Sequence, residues 1–136
     1  MSNENYEAIQ LISDDVNFYI TKFAPEIQER LMVIRFTAFD IFQNVEEKIY
    51  YSVPTLFMLG GKNIMGYAAY KSHISINLGY DWKADWEARA SSMMDFLKKH
   101  YPQYGYTKFT IQISNKLPFP EELIQEICKM LWNDRF

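Results

Sequence analysis

A chain of 136 residues with 49% hydrophobic and 23% charged side chains has the composition of one ordinary globular domain, which excludes a disordered or fibrous protein. A net charge of -3 with basic residues scattered singly, apart from Lys98-Lys99, excludes a general attraction for phosphate backbones, so nucleic acid is not an expected partner. A lone cysteine, Cys128, excludes an intrachain disulfide, and no apolar run approaches the roughly 18 residues of a spanning helix, so no membrane partner is expected either.

The start, Met1 to Gln10, is polar and acidic and lacks a signal peptide's apolar run; with the lone cysteine, it predicts a cytoplasmic protein. Residues 1–12 read as a polar extension of a single domain over 1–136. Ser13, followed by Asp14 and Asp15, reads as an N-cap with acids in the first turn of a helix reaching about Lys22. Pro25 suits the first position of a second helix, where Ile27, Leu31, Ile34, Ala38 and Ile41 recur at helical spacing to about Phe42. Met32, Phe36 and Phe39 widen that stripe and predict burial on more than one side.

From Glu46 the pattern becomes strand-like, punctuated by Pro54, Gly60-Gly61 and Lys71-Ser72. Strands are expected over about 47–52, 55–59, 63–70 and 73–78, with connections short enough to require antiparallel pairing. Over 73–78, Ile74, Ile76 and Leu78 alternate with His73, Ser75 and Asn77, giving one oily face and one polar face. Asp81 is placed to cap a third helix from about Trp82 to His100, ended by Pro102 and Gly105. A fifth strand follows over 106–113, then a closing helix with Glu121 and Glu122 in its first turn and Leu123, Ile124, Ile127, Cys128 and Leu131 on one side. The expected fold is α+β in two layers: an antiparallel five-strand sheet with about four helices packed on one face.

No catalytic signature, phosphate loop or zinc-helix motif occurs, so a non-enzymatic protein is expected. Gly60-Gly61-Lys62 reads as a hairpin turn. Cys128 shares its helix face with aliphatic residues and reads as a small apolar core residue. Two histidines and one cysteine in separate elements are a poor basis for a tight metal site. A weaker oxygen site would have to draw on Asp14, Asp15, Glu46, Glu47, Asp81 or Asp85, each of which also reads as a cap or a solvated acid. The most informative cluster combines Tyr50, Tyr51, Tyr67, Tyr70, Lys71, His73, Ser75 and Asn77 within one meander. Tyrosine joins an apolar body to a polar tip, which suits a binding surface, although sheet packing alone also accounts for it.

Glu47, Tyr51, Pro54 and Thr55, followed by Gly66-Tyr67 and Tyr70-Lys71-Ser72-His73-Ile74, resemble the YdhG-like family of small bacterial domains of unknown function. Thr110-Ile111 and Leu117-Pro118 extend the likeness over about residues 14–132. Some relatives are described as frataxin-like iron chaperones, so the resemblance implies iron as a cofactor or cargo and an iron-receiving protein as a partner. Gln112 stands where relatives often carry arginine, and Tyr80 and Trp82 also depart from the pattern. The resulting expectation is a binding protein that uses Tyr51, Tyr67, Lys71, His73 and Ser75 on the polar sheet face for a small ligand or iron. The alternative is a protein-interaction domain, such as a homodimer, anchored by Trp82, Trp86 and Tyr104.

Overall fold

The computed structural model describes residues 9–79 and 85–135, and its first helix begins where the sequence places it. The Ser13 Oγ accepts hydrogen bonds from the backbone N–H groups of Asp15 at 3.1 Å and Val16 at 3.4 Å, capping α1 (Asp14–Thr21). Helix α2 (Pro25–Ile41) has no side-chain cap and relies on Pro25, whose fixed φ and missing N–H suit a helix start. The chain continues through β2 (Val45–Tyr50), β3 (Val53–Met58), β4 (Asn63–Ala69) and β5 (His73–Leu78) to α3 (Trp86–His100). It closes with β6 (Gly105–Tyr106), β7 (Thr110–Ser114) and α4 (Glu121–Arg135). The proposed cap Asp81 and the interaction anchor Trp82 lie outside the described residues.

Among the described residues the sheet has seven strands and is mixed, not five and antiparallel. Its order is β1-β2-β3-β4-β5-β7-β6, where β1 (Gln10–Leu11) pairs parallel to β2 and every other neighbouring pair is antiparallel. Two residues are too few to show an alternating pattern, which is why β1 was hidden in what read as a polar extension. The expected fifth strand is split because the chain turns within it: the Thr107 N–H donates to the Thr110 carbonyl at 2.9 Å, folding Tyr106 back opposite Ile111.

Directly paired residues project to the same side of a sheet. Met65, Tyr67 and Ala69 lie opposite Leu78, Ile76 and Ile74, and Ile74 and Ile76 lie opposite Ile113 and Ile111. This set forms the floor of one core with Leu31, Ile34 and Ala38 of α2, Ala90 and Leu97 of α3, and Ile124 and Ile127 of α4. Contacts from each helix end on this side. The Ala69 N–H donates to Tyr19 Oη of α1, Trp86 of α3 packs on Phe109, and Trp132 of α4 stacks on Phe42, the residue that ends α2. Helices on one face of a sheet were therefore correctly expected. Phe36 departs from its expected place: it is 65% exposed, and the buried residue beside it is Arg35. Among the described residues, no helix is long and apolar enough to cross a membrane.

Candidate functional site

The reverse side of the sheet carries no helix among the described residues. Thr55 lies opposite Gly66, Gly66 opposite Asn77, and Asn77 opposite Thr110, so one polar or side-chain-free row crosses four strands. A groove of about 650 Å³ opens above it, lined by Tyr50, Tyr51, Val53, Thr55, Phe57, Gly61, Lys62, Asn63, Gly66, Asn77 and Leu78. That volume is in the range of small-molecule sites.

Three local features shape the groove. Gly66 is the floor: a Cβ there would stand 3.2 Å from Thr55 Oγ1 and 3.3 Å from the Pro54 carbonyl, so a larger side chain would occupy the space above. A β-bulge sets Leu56 opposite Met65 but Phe57 opposite Asn63, leaving Ile64 over; the shift turns Asn63 to the groove side and Ile64 into the core. The rim is the two-residue turn Tyr51-Ser52 between the paired Tyr50 and Val53. Both turn residues have positive φ, +49° and +69°, the signature of a type I′ turn, which favours Asn-Gly over side chains such as these.

The turn presents Tyr51 85% exposed, with its ring edge-on to Tyr50 at 4.5 Å; Tyr50 in turn meets Phe57 edge-on at 5.3 Å. A hydrogen bond with Tyr51, followed by the neighbouring phenol's charge, raises the pKa of Tyr50. The Thr110 hydroxyl donates to Asn77 Oδ1 at 2.9 Å, which fixes the Asn77 amide.

Of the five residues expected to form the site, only Tyr51 lines this groove. Tyr67 is on the opposite face, fully buried against the helices, because its pairing with Ile76 gives it the parity of the core. Burial, followed by the charge of Glu47, raises the pKa of Tyr67 far above the ordinary tyrosine value. Lys71 is exposed in the β4–β5 turn, and His73 is half-buried beneath Tyr70, whose ring stacks on it at 5.1 Å. Both lie at the hairpin end, outside the groove. Ser75 is on the open side, level with Ala68 and Gln112, yet only 4% exposed, because short side chains between strands are hidden by their neighbours.

The acids considered for a cation are otherwise engaged or scattered. Glu47 is buried and takes a two-point ion pair from Arg35, with Nε to Oε2 at 3.0 Å and Nη2 to Oε1, and also accepts the Ser13 N–H at 2.9 Å. Arg35 Nη1 donates to Asn17 Oδ1 at 2.6 Å, completing the buried network. Glu46 pairs with Lys48 and Asp85 with Arg89. Among the described residues, no group of three or more His, Cys, Asp or Glu side chains is placed to hold a metal ion. Of the interaction anchors among the described residues, Trp86 is buried with its indole N–H donating to the Gly79 carbonyl at 3.0 Å, and Tyr104 is half-buried against the core.

No protein-family profile and no curated protein matches the chain. A crystal structure of a protein from the DUF1801 family, YdhG of Bacillus subtilis, aligns with it at a TM-score of 0.68, covering 90% of this chain and 93% of that one. The likeness is one of fold. At 18% identity it agrees with the architecture that the YdhG-like resemblance implied and assigns no ligand.

The sequence reading missed Gly66, Asn63, Lys62 and Phe57 as groove residues. Gly66 carried the one available signal, since a glycine between Met65 and Tyr67 inside a strand marks close backbone approach or a space left open.

Proposed function

We propose that this chain is a YdhG-like binding protein that holds a small molecule in the groove on the uncovered side of its sheet, without catalysing a reaction. The observation that carries this reading is the combination of a side-chain-free floor at Gly66 with an aromatic rim kept in a costly backbone conformation at Tyr51-Ser52. Residues held in sparsely populated backbone regions cost free energy that the surroundings must offset, and they concentrate where ligands are held. Thr55 and Asn77 supply fixed polar groups, while Tyr50, Tyr51 and Phe57 supply the contact area.

Amide NMR of the isotope-labelled protein against a library of small soluble fragments tests the reading. Shifts clustered in residues 50–57, 61–66 and 77–78 are expected. Shifts confined to the helix side, or none from any fragment, overturn it. Ferrous iron, the cargo implied by the family resemblance, enters as a separate arm; shifts around Lys71 and His73 with iron alone would favour metal delivery over the groove.

A further inference from the structure

On the helix side of the molecule, where α2 meets the loop before α4, lies a second groove of about 750 Å³. We infer that it docks a basic amphipathic helix of another protein, antiparallel to α2, with its apolar stripe on Phe36 and its cations toward Glu26, Glu29 and Glu121.

The shape of the groove suits a helix. Pro25, Glu29, Met32, Val33 and Phe36 follow one another at helical spacing along the outer side of α2, over three turns or about 16 Å. Phe119 lines the groove from the loop. Arg30 holds it there: Nη2 donates to the Leu117 carbonyl at 2.8 Å, and the guanidinium lies 5.5 Å over the Phe119 ring. A groove between a helix and an aromatic residue, lined by Met32, Val33 and Phe36, receives the apolar side of an amphipathic helix. Phe36 is 65% exposed in the middle of α2, where lysine, glutamate or glutamine would serve the helix better, so the packing of this chain does not account for it.

Charge selects the occupant. Three exposed carboxylates border the groove, those of Glu26, Glu29 and Glu121, and none of them forms a salt bridge with another described residue. Arg30, the cation among the described lining residues, is turned to Leu117 and Phe119, with Nη1 buried. A second copy of this chain fits poorly in either sense of two-fold pairing. With the helices parallel, Glu26 and Glu29 would meet the same acids of the other copy; antiparallel, they would lie over its Met32, Val33 and Phe36. A helix with Lys or Arg beside its apolar stripe complements both the acids and the apolar lining. The antiparallel sense follows from position. Glu26 and Glu29 stand in the first two turns of α2, so the partner's cations fall in its last turns, where its own helix dipole favours them.

Selection on the full chain from a displayed library of peptides of about 14 residues, long enough to span the groove as a helix, tests this. The library fixes leucine at helical spacing and randomises the other positions among lysine, glutamate and glutamine. Selected peptides are expected to carry lysines in their C-terminal half and to move the amide signals of residues 25–36 and 119–121. Phe36→Gln, at an exposed position, should weaken them at least about thirtyfold, as loss of a central aromatic anchor does, while the dispersed spectrum of the folded protein is kept. Glu26→Gln, Glu29→Gln and Glu121→Gln together should weaken them about tenfold, the range of three exposed ion pairs, and remove most of the salt dependence. Selected peptides rich in glutamate or without charge preference, amide shifts elsewhere, an unchanged affinity in the triple variant, or no binders at all would overturn the assignment. A concentration-dependent dimer in sedimentation that Phe36→Gln abolishes would overturn it in favour of a second copy.

Discussion

Replacing Ser52 by glycine should stabilise the protein, because the β2–β3 turn asks an L-residue with a side chain to adopt φ +69°. An L-residue in the left-handed region costs about 1–2 kcal/mol, and glycine returns about 0.5–1 kcal/mol of that as backbone entropy lost on folding. Ser52 is exposed, so little contact area is lost and the net gain is about 1 kcal/mol. For a chain of this length an unfolding entropy near 2.1 cal/mol/K per residue converts that gain into a rise of roughly 3–4 °C in Tm. Calorimetry of Ser52→Gly measures it. Tyr51→Asn relieves similar strain but gives up the edge contact with Tyr50, worth about 0.5–1.5 kcal/mol, so its Tm should stay near that of the wild type. Binding should separate the two: Ser52→Gly keeps the groove ligand and Tyr51→Asn weakens it. A fall in Tm for Ser52→Gly would refute the left-handed turn, and unaltered binding by Tyr51→Asn would refute the role of its ring.

Arg35→Met should cost about 3–5 kcal/mol, because it leaves the Glu47 carboxylate buried without its partner, while the double change Arg35→Met with Glu47→Leu should recover most of the loss; urea unfolding checks both, and a single-variant cost below about 1 kcal/mol contradicts the buried pair. Tyr67→Phe should be neutral or stabilising by up to about 1 kcal/mol, since the buried Tyr67 hydroxyl has no hydrogen-bond partner among the described residues; marked destabilisation would reveal one. Burial pushes the Cys128 thiol up to about 12, so above the ordinary value of 9 the unfolded chain releases a proton that the folded chain retains. The stability advantage of wild type over Cys128→Ala should therefore shrink between pH 9 and 12, by about 1.4 kcal/mol per pH unit, and the folded thiol should resist alkylation at pH 8.

The elements written in periodicity and capping were legible: Ser13 before two acids, Pro25 before an apolar stripe, and the alternation over residues 73–78 all correspond to observed structure. What was not legible depends on pairing. A strand's parity assigns faces only relative to its neighbour, and β4, buried on both sides from Ile64 to Ala69, shows no alternation to read. Tyr67 therefore read as a residue of the polar sheet face although its partner Ile76 places it in the core, and Asn63 reaches the groove only through a bulge that no local pattern announces. No local pattern marked Arg35 for burial, because its partner, Glu47, is 12 residues away on a strand. Phe36 read as core for the converse reason, since the spacing of a stripe does not say how wide a face the sheet will cover.

Filling the floor tests the account most directly. Gly66→Val places two methyl groups above Thr55 and Asn77 on an otherwise intact strand. If the groove is the binding site, the variant keeps the dispersed amide spectrum of the folded protein and loses the ligand-induced shifts in residues 50–57 and 61–66. A folded Gly66→Val protein that binds the same probes with wild-type affinity would place the function elsewhere on the molecule.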